Sequence, residues 1–459
     1  MQDAAGEVEL RDEEGGIRSE FLHAVAAALD DGNAERVRQL TLPLHAADLA
    51  DLIGLLRPEQ RGKLIATLGP DFDAAALPEL DEAVRDQVLE VMPAEQVAEA
   101  LQQLDSDEAV YVIEDLDKEE QSDILAKLPS FERAALERSL EYPEDSAGRI
   151  MQTDLIAVPP FWSVGQTIDY MRLAEDLPDR FFEIFVVDPA YHLIGSVALN
   201  RLLRSKRPVT IEQITERDIH PIEADADQEE VARQFERYNL TSAPVIDQDR
   251  RLVGVITADD VVEVVQEEAS EDILKLGGVS GESVADSVWR TTRHRFAWLL
   301  INLATAILAS VVIGLFGATI EQMVALAVLM PIVASMGGNA ATQTMTVAVR
   351  AIATQDLGQV NALRVIARET AVGVLNGLLF AAIMGVVAYF WFGSTPLGLV
   401  IAAAMIVNLI VAALAGILIP LTLDRLEIDP AVASGVFVTT VTDVVGFFAF
   451  LGLAALWLF

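Results

Sequence analysis

The chain has 459 residues, 52% of them hydrophobic, and a formal net charge of −38. The charge is confined to one end: residues 1–290 hold 26 Lys and Arg against 63 Asp and Glu, whereas the chain from Thr291 onward holds 6 against 7. A strongly acidic soluble part ahead of a neutral apolar part excludes nucleic acid as a partner, because phosphates are repelled, and the lack of cysteine excludes disulfides and thiolate metal sites.

The same acidity attracts metal cations, although the acidic proteome of a salt-adapted organism would leave an equal imprint. Met1-Gln-Asp-Ala-Ala-Gly-Glu has no apolar core behind a basic cluster. No secretory signal is expected, and the N-terminal part is expected in the cytoplasm. Residues 1–18 are small, acidic and Gly-containing, and are predicted to be disordered.

Residues 19–145 carry a repeat. Leu44, Leu56, Leu68, Leu80, Met92, Leu104, Leu116, Leu128 and Leu140 stand 12 residues apart, and turn or cap residues such as Pro58, Gly69-Pro70, Asp81, Pro93 and Asp105 follow most of them. Each unit has room for one short helix and a stop signal. Stacked units bury the leucines, which predicts an all-α solenoid. Its acidic residues, Asp107, Glu108, Glu114, Asp115, Glu119, Glu120 and Asp123, are expected mostly on a solvated outer face.

From residue 146 the pattern turns to β-branched strands, predicting an α/β region over 146–265. Phe185-Val-Val-Asp188 leads to Leu193-Ile-Gly-Ser-Val-Ala198, and Val245-Ile-Asp247 leads to Leu252-Val-Gly-Val-Ile-Thr257. Asp188 to Asp247 and Gly195 to Gly254 both span 59 residues, so one α/β unit occurs twice. A helix then starts near Val261, bearing Glu263, Glu267, Glu268, Glu271 and Asp272, and meets Gly277-Gly278 and Gly281. Residues 266–290 therefore form an acidic connecting helix, either a transmitter of movement or a plain charged linker.

Residues 291–459 hold five apolar spans, at Phe296–Phe316, Val324–Val349, Thr370–Phe392, Leu397–Leu423 and Ala431–Phe459, each long enough for a bilayer. Arg293 and Arg295 precede the first span, Arg350, Arg364 and Arg368 lie between the second and third, Arg425 lies between the fourth and fifth, and the other two loops hold no Lys or Arg. That arrangement puts the N-terminus inside the cell membrane and Phe459 outside. In the second span Pro331 and Gly337-Gly338 are expected to break the helix, after which Asn339, Thr342, Gln343 and Thr346 form a stripe at i, i+3, i+4 and i+7. Such a stripe lines a cavity or glues helices together. In the last span Asp443 lies near mid-depth, at a cost of roughly 2.5–3.5 kcal/mol on an insertion scale. Thr439, Thr440, Gly435 and Gly446 share its helical stripe. We read Asp443 as the ligand of a hydrated divalent cation in a pore; the alternative is a carboxylate that only bonds a neighbouring helix.

The α/β pair resembles tandem CBS domains. In that family a Gly-x-x-Thr-x-x-Asp run contacts adenine nucleotide, and the second copy keeps Gly254, Thr257 and Asp260, whereas the first reads Gly195, Ala198 and Arg201. ATP binding and a purely structural pair both stay open. Gly337-Gly-Asn339-Ala-Ala-Thr-Gln343, Asp429-Pro-Ala-Val-Ala-Ser-Gly435, Thr439-Thr440-Val-Thr442-Asp443 and Glu141-Tyr-Pro-Glu-Asp-Ser-Ala-Gly148 complete the picture. From about residue 20 onward the chain resembles MgtE-type magnesium channels. The resemblance implies a multidomain homodimer with one pore on its two-fold axis. Asp443, Asn339 and Asp429 would hold hydrated Mg2+, with Asp429 at the inner mouth and Thr439, Thr440 and Gln343 beside them. It also implies a cytoplasmic Mg2+ sensor that shuts the pore, in which Asp260, Glu263, Glu268, Glu271 and Asp272 match, with Asp107 or Glu108 on the solenoid. Val436 and Ala341 depart from the family's proline and glycine.

Other classes fit less well. An ion-coupled carrier is the near rival, and a CBS-type membrane regulator without transport is another. An intramembrane aspartyl protease needs two mid-span carboxylates where this chain has one. No phosphate-binding Gly-x-x-x-x-Gly-Lys-Ser/Thr or His-Glu-x-x-His occurs, so neither a pump nor another enzyme is expected.

Overall fold

Short helices with stop signals do build the N-terminal part. The computed structural model describes residues 10–13, 15–174, 177, 178, 180–279, 288–354, 357, 362–426 and 428–459. The chain divides into two compact units, residues 1–268 and 269–459.

The first unit opens with α1 (Ser19–Asp30), α2 (Ala34–Thr41), α3 (Ala46–Leu55), α4 (Pro58–Leu68), α5 (Glu82–Val91), α6 (Ala94–Leu101), α7 (Ser106–Ile113), α8 (Lys118–Leu125) and α9 (Ser130–Glu141). From α3 onward most helices close at or just before a repeat residue. Leu56, Leu68, Leu80, Met92 and Leu128 are buried, and Leu44, Leu104, Leu116 and Leu140 partly so. Local signals set the helix starts. Pro58 occupies the first turn of α4, where its missing N–H has no partner to lose, and Asp81 accepts from the Ala83 N–H at the head of α5.

Two expectations fail here. The unit after Leu68 has no α-helix but two 3₁₀ turns, Gly69–Asp71 and Ala74–Ala76. Pro70 and Pro78 bracket too few residues for a hydrogen-bonded α-helical run. The head expected to be disordered has a fixed point, since Arg11 pairs with Asp48 and, at 2.8 Å, with Asp51 on α3; residues 1–9 and 14 lie outside the described residues.

The α/β region holds β1 (Ala157–Val158), α10 (Val164–Leu173), β2 (Glu183–Val187), β3 (Leu193–Ala198), α11 (Leu199–Arg204) and α12 (Ile211–Ile214), then β4 (Ile222–Glu223), α13 (Gln228–Tyr238), β5 (Ser242–Ile246) and β6 (Leu252–Thr257). Each copy is a three-stranded sheet with one parallel and one antiparallel pairing, in the order β1-β2-β3 and β4-β5-β6. The duplication extends to detail. Both hairpins shift register at equivalent places, Val186/Val187 and Val245/Ile246, and both turns hold a left-handed residue, Tyr191 and Arg250. These turns join the copies, with the Leu193 N–H on Arg250 O and the Leu252 N–H on Tyr191 O.

A long helix, α14 (Ala258–Leu276), leaves β6 without a break and crosses from the first unit into the second. The expected connecting segment 266–290 is thus the second half of α14, residues 277–279, positions 280–287, which lie outside the described residues along with the expected hinge at Gly281, and the first residues of the next helix.

The second unit holds α15 (Val288–Gly314), α16 (Gly317–Gln322), α17 (Ala325–Ala353), α18 (Ala362–Phe392), α19 (Thr395–Arg425) and α20 (Pro430–Trp457). All but α16 are long and apolar enough to cross a membrane. The protein is therefore a helical domain, a duplicated α/β pair, a connecting helix and a bundle with five helices long and apolar enough to span a membrane. The expected break in the second span is absent. Pro331 sits inside an unbroken α17 near its start, where it removes one ladder bond, and Gly337-Gly338 stay helical.

Candidate functional site

Helix α17 has two unlike faces. Gly337, Ala341, Met345, Ala348 and Val349 are buried on one, and α17 packs on α19 and α20. Asn339, Thr342, Gln343 and Thr346 are exposed on the other. Thr346 returns its hydroxyl to Thr342 O at 3.0 Å. Among the described residues the Asn339 and Gln343 amides have no hydrogen-bond partner. A row of amides and hydroxyls at membrane depth is thus turned away from its own chain.

On α20 the buried face is Val438, Thr442, Phe450, Leu451 and Ala454. Thr439, Thr440 and Asp443 are half-buried beside it. Thr439 and Thr440 donate to Gly435 O (2.9 Å) and Val436 O (2.6 Å). Their protons are spent on the helix and their oxygens remain as acceptors. Asp443 makes no ion pair or hydrogen bond to a described residue. One expectation is corrected: Gly446 lies not along an open path but buried against Asn408 of α19. Val436 and Ala341, the two departures from the family pattern, are both buried.

The inner end of this bundle meets the end of α14. Leu276 packs with Ala341, Met345, Val349, Ala412, Ala431 and Val438. Beside it Lys275 donates to Glu271 (2.8 Å) and to Asp429 (2.9 Å). Asp429 uses its other oxygen to cap α20, accepting from the Ala431 N–H at 2.7 Å. Burial works against the Lys275 charge, but its two carboxylate bonds outweigh that and raise its pKa. Asp272 is shifted up, by burial first and then by the charge of Asp429. Sequence reasoning placed Asp429, Glu271 and Asp272 but passed over Lys275, the one basic side chain among them.

In the first unit the sensor candidates gather. Asp107 and Glu108 on α7 and Asp260 and Glu263 on α14 share one negative field, with Glu79 and Asp105 contributing. Asp107 is raised well above the usual carboxylate range, by burial and then by Asp260. Glu263 is pushed to about 7, by partial withdrawal from water first and by Asp260, Glu79 and Glu108 after it. Among the described residues no three His, Asp or Glu side chains surround one ion position, so the cluster is a charged field and not a formed cage. Glu268 stands apart and accepts from Gln228 at 2.7 Å.

Asp115, Glu119, Glu120 and Asp123 do lie on a solvated face, but Asp107, Glu108 and Glu114 do not. Glu114 reaches about 7 because it is buried and beside Asp115, with Arg149 at 3.7 Å and Arg85 opposing the shift. For the nucleotide reading, Thr257 and Asp260 are turned toward each other. Asp260 accepts the Thr257 N–H and hydroxyl at 2.8 Å each and faces Gln152 at 3.3 Å. Gly254 and Gly195 have steric reasons: a Cβ would fall 2.5 Å from Met151 Sδ and 2.2 Å from Glu216 O.

Known proteins share this arrangement. Residues 330–453 match the MgtE family, described as divalent cation transporter; residues 44–145 match the MgtE intracellular N domain, and residues 211–267 the CBS domain. The magnesium transporter MgtE of Thermus thermophilus is 34% identical over 330 residues, 71% of this chain and 72% of that protein. Its counterpart in Enterococcus faecalis is 31% identical over 329 residues, 72% and 73%. A solved cytosolic domain of the Mg2+ channel MgtE in complex with ATP aligns at 28% identity over 53% of this chain and 99% of that one, with a TM-score of 0.47.

Proposed function

The chain belongs to the MgtE family of divalent cation transporters, and on that premise we propose that it is a Mg2+ channel built from two copies and closed by cytoplasmic Mg2+. One observation carries the reading. Asn339, Thr342, Gln343 and Thr346 are exposed on a spanning helix, and Asp443 has no partner among the described residues. Hydrocarbon is a costly neighbour for such groups. A second copy across a water-filled path satisfies all of them at once. Mg2+ gives up its water reluctantly and prefers octahedral oxygen. Asp443, Asn339, Gln343, Thr439 and Thr440 hold the hydrated ion by charge and cavity size, without stripping it.

Closure follows from repulsion. Asp107, Glu108, Asp260 and Glu263 on one side, and Glu271, Asp272 and Asp429 at the inner end, disfavour a compact state unless cations neutralise them. An ion that binds the compact state better shifts the population toward it. Positive charge at the inner helix ends supports a cytoplasmic N-terminus and an outer C-terminus. Thr257 and Asp260 are already engaged with one another, so ATP has no assigned role, and no catalytic step is proposed.

The test is magnesium-dependent growth of a transport-deficient strain. Wild type restores growth and Asp443→Asn does not; equal rescue by both refutes the pore. Single-channel currents separate this reading from an ion-coupled carrier, whose uptake follows a proton or sodium gradient instead.

A further inference from the structure

Asn408 is a lone amide in an apolar stretch of α19, and it is 1% exposed. Its Nδ2 donates to Val333 O on α17 at 2.7 Å. Gly337 lies one turn beyond Val333, and a Cβ there would stand 2.2 Å from the same Nδ2. On α20 the facing residue is Gly446, where a Cβ would stand 3.0 Å from both Nδ2 and Oδ1. Asn408 Oδ1 is buried and accepts no hydrogen bond from a described residue. One amide is therefore wedged between two glycines on two different helices.

Packing alone does not explain the choice. A leucine has similar bulk and strands no acceptor, and an unpaired buried carbonyl is destabilising. What the amide adds is a directional bond to α17 while it sits on α20. Asn339 lies two residues after Gly337, and Asp443 three residues before Gly446.

We propose that Asn408 is a positioning residue: it sets the separation and rotation of α17 and α20 at the level of Asn339 and Asp443, and so decides which hydrated divalent cation passes. The inference rests on the pore reading of those two residues. A bore that recognises an ion with its water shell reads size, and size depends on helix separation.

The test uses the full chain in lipid vesicles, with uptake of Mg2+, Mn2+ and Ca2+ measured separately. Asn408→Leu is expected to reach the membrane and elute like wild type, while its preference for Mg2+ over Ca2+ falls about tenfold, since a shift near 1 Å at a binding site is enough for that. Gly446→Ala, a milder intrusion on the same amide, is expected to move the ratio in the same direction and covers the case in which Asn408→Leu misfolds. Unchanged ratios in the folded variants, with only rate or thermal stability reduced, overturn the proposal and leave Asn408 as plain glue. Asp443→Asn in the same vesicles reports on the pore itself. If it transports like wild type, the pore reading has failed, whatever the Asn408 ratios show.

Discussion

Lys275 holds the place of a cation. Its ammonium lies between Glu271 and Asp429, with Asp272 nearby, at the inner end of the membrane helices. A tethered charge of +1 does part of what a divalent ion does: it offsets repulsion and keeps α14 near Asp429. If these carboxylates take Mg2+ as proposed, the ammonium also competes with that ion. Replacing it with a neutral side chain leaves three carboxylates without a counter-charge. We expect Lys275→Gln to weaken protease protection of residues 261–279 in the absence of Mg2+. We also expect it to lower the Mg2+ concentration for half-protection severalfold, since each opposite charge within reach is worth on the order of 1 kcal/mol near a protein surface. Superimposable protection curves for variant and wild type would show that the lysine is incidental.

At the scale of elements, the solenoid is stable through burial and not through helix propensity, because its helices are short. Leu64 on α4 is fully buried in the layer shared with α1, α2 and α5. Leu64→Ala is expected to cost about 2–5 kcal/mol, read as a lower melting temperature of the first unit. The first CBS copy has a buried core around Ile184, Val186 and Val197 and adds a cap to it. Ser163 accepts from the Gln166 N–H at 3.2 Å, and Gln166 Oε1 accepts the Ser163 N–H at 2.9 Å, which closes both ends of the first turn of α10. Ser163→Ala should cost about 1 kcal/mol. Circular-dichroism melting separates the two: a larger loss for Ser163→Ala than for Leu64→Ala contradicts this ranking.

For the whole molecule the pH response comes from carboxylates that are partly buried and, second to that, repel one another in the acidic half. Glu114 and Glu263 have their pKa raised from 4.5 to about 7. A carboxyl raised in the folded state binds protons there that the unfolded chain has already lost. Its contribution is fully present below about 4.5 and lost as pH rises through 7. Without Mg2+, the detergent-solubilised chain is therefore expected to melt at higher temperature at pH 6 than at pH 8. Saturating Mg2+ is expected to narrow the gap if, as proposed, it binds at Glu263 and its acidic neighbours. A melting temperature that falls on acidification over this range would mean that exposed ion pairs, not the carboxylate cluster, control stability.

Local pattern was enough for the division into an acidic soluble half and five spans, for the 12-residue helical units, for the duplicated sheet and for the isolated Asp443. Hydropathy, turn chemistry and periodicity act over a few residues, so one chain displays them without knowing its partners. Contacts between distant segments were beyond that reach. Whether Gly337 breaks a helix or admits Asn408 depends on what lies 71 positions further along. Whether Glu114 is solvated depends on Arg85 and Arg149 closing over it, and whether Lys275 matters depends on Asp429 lying opposite. Those outcomes belong to the packing of faces, because burial and charge are properties of a neighbourhood that only folding assembles.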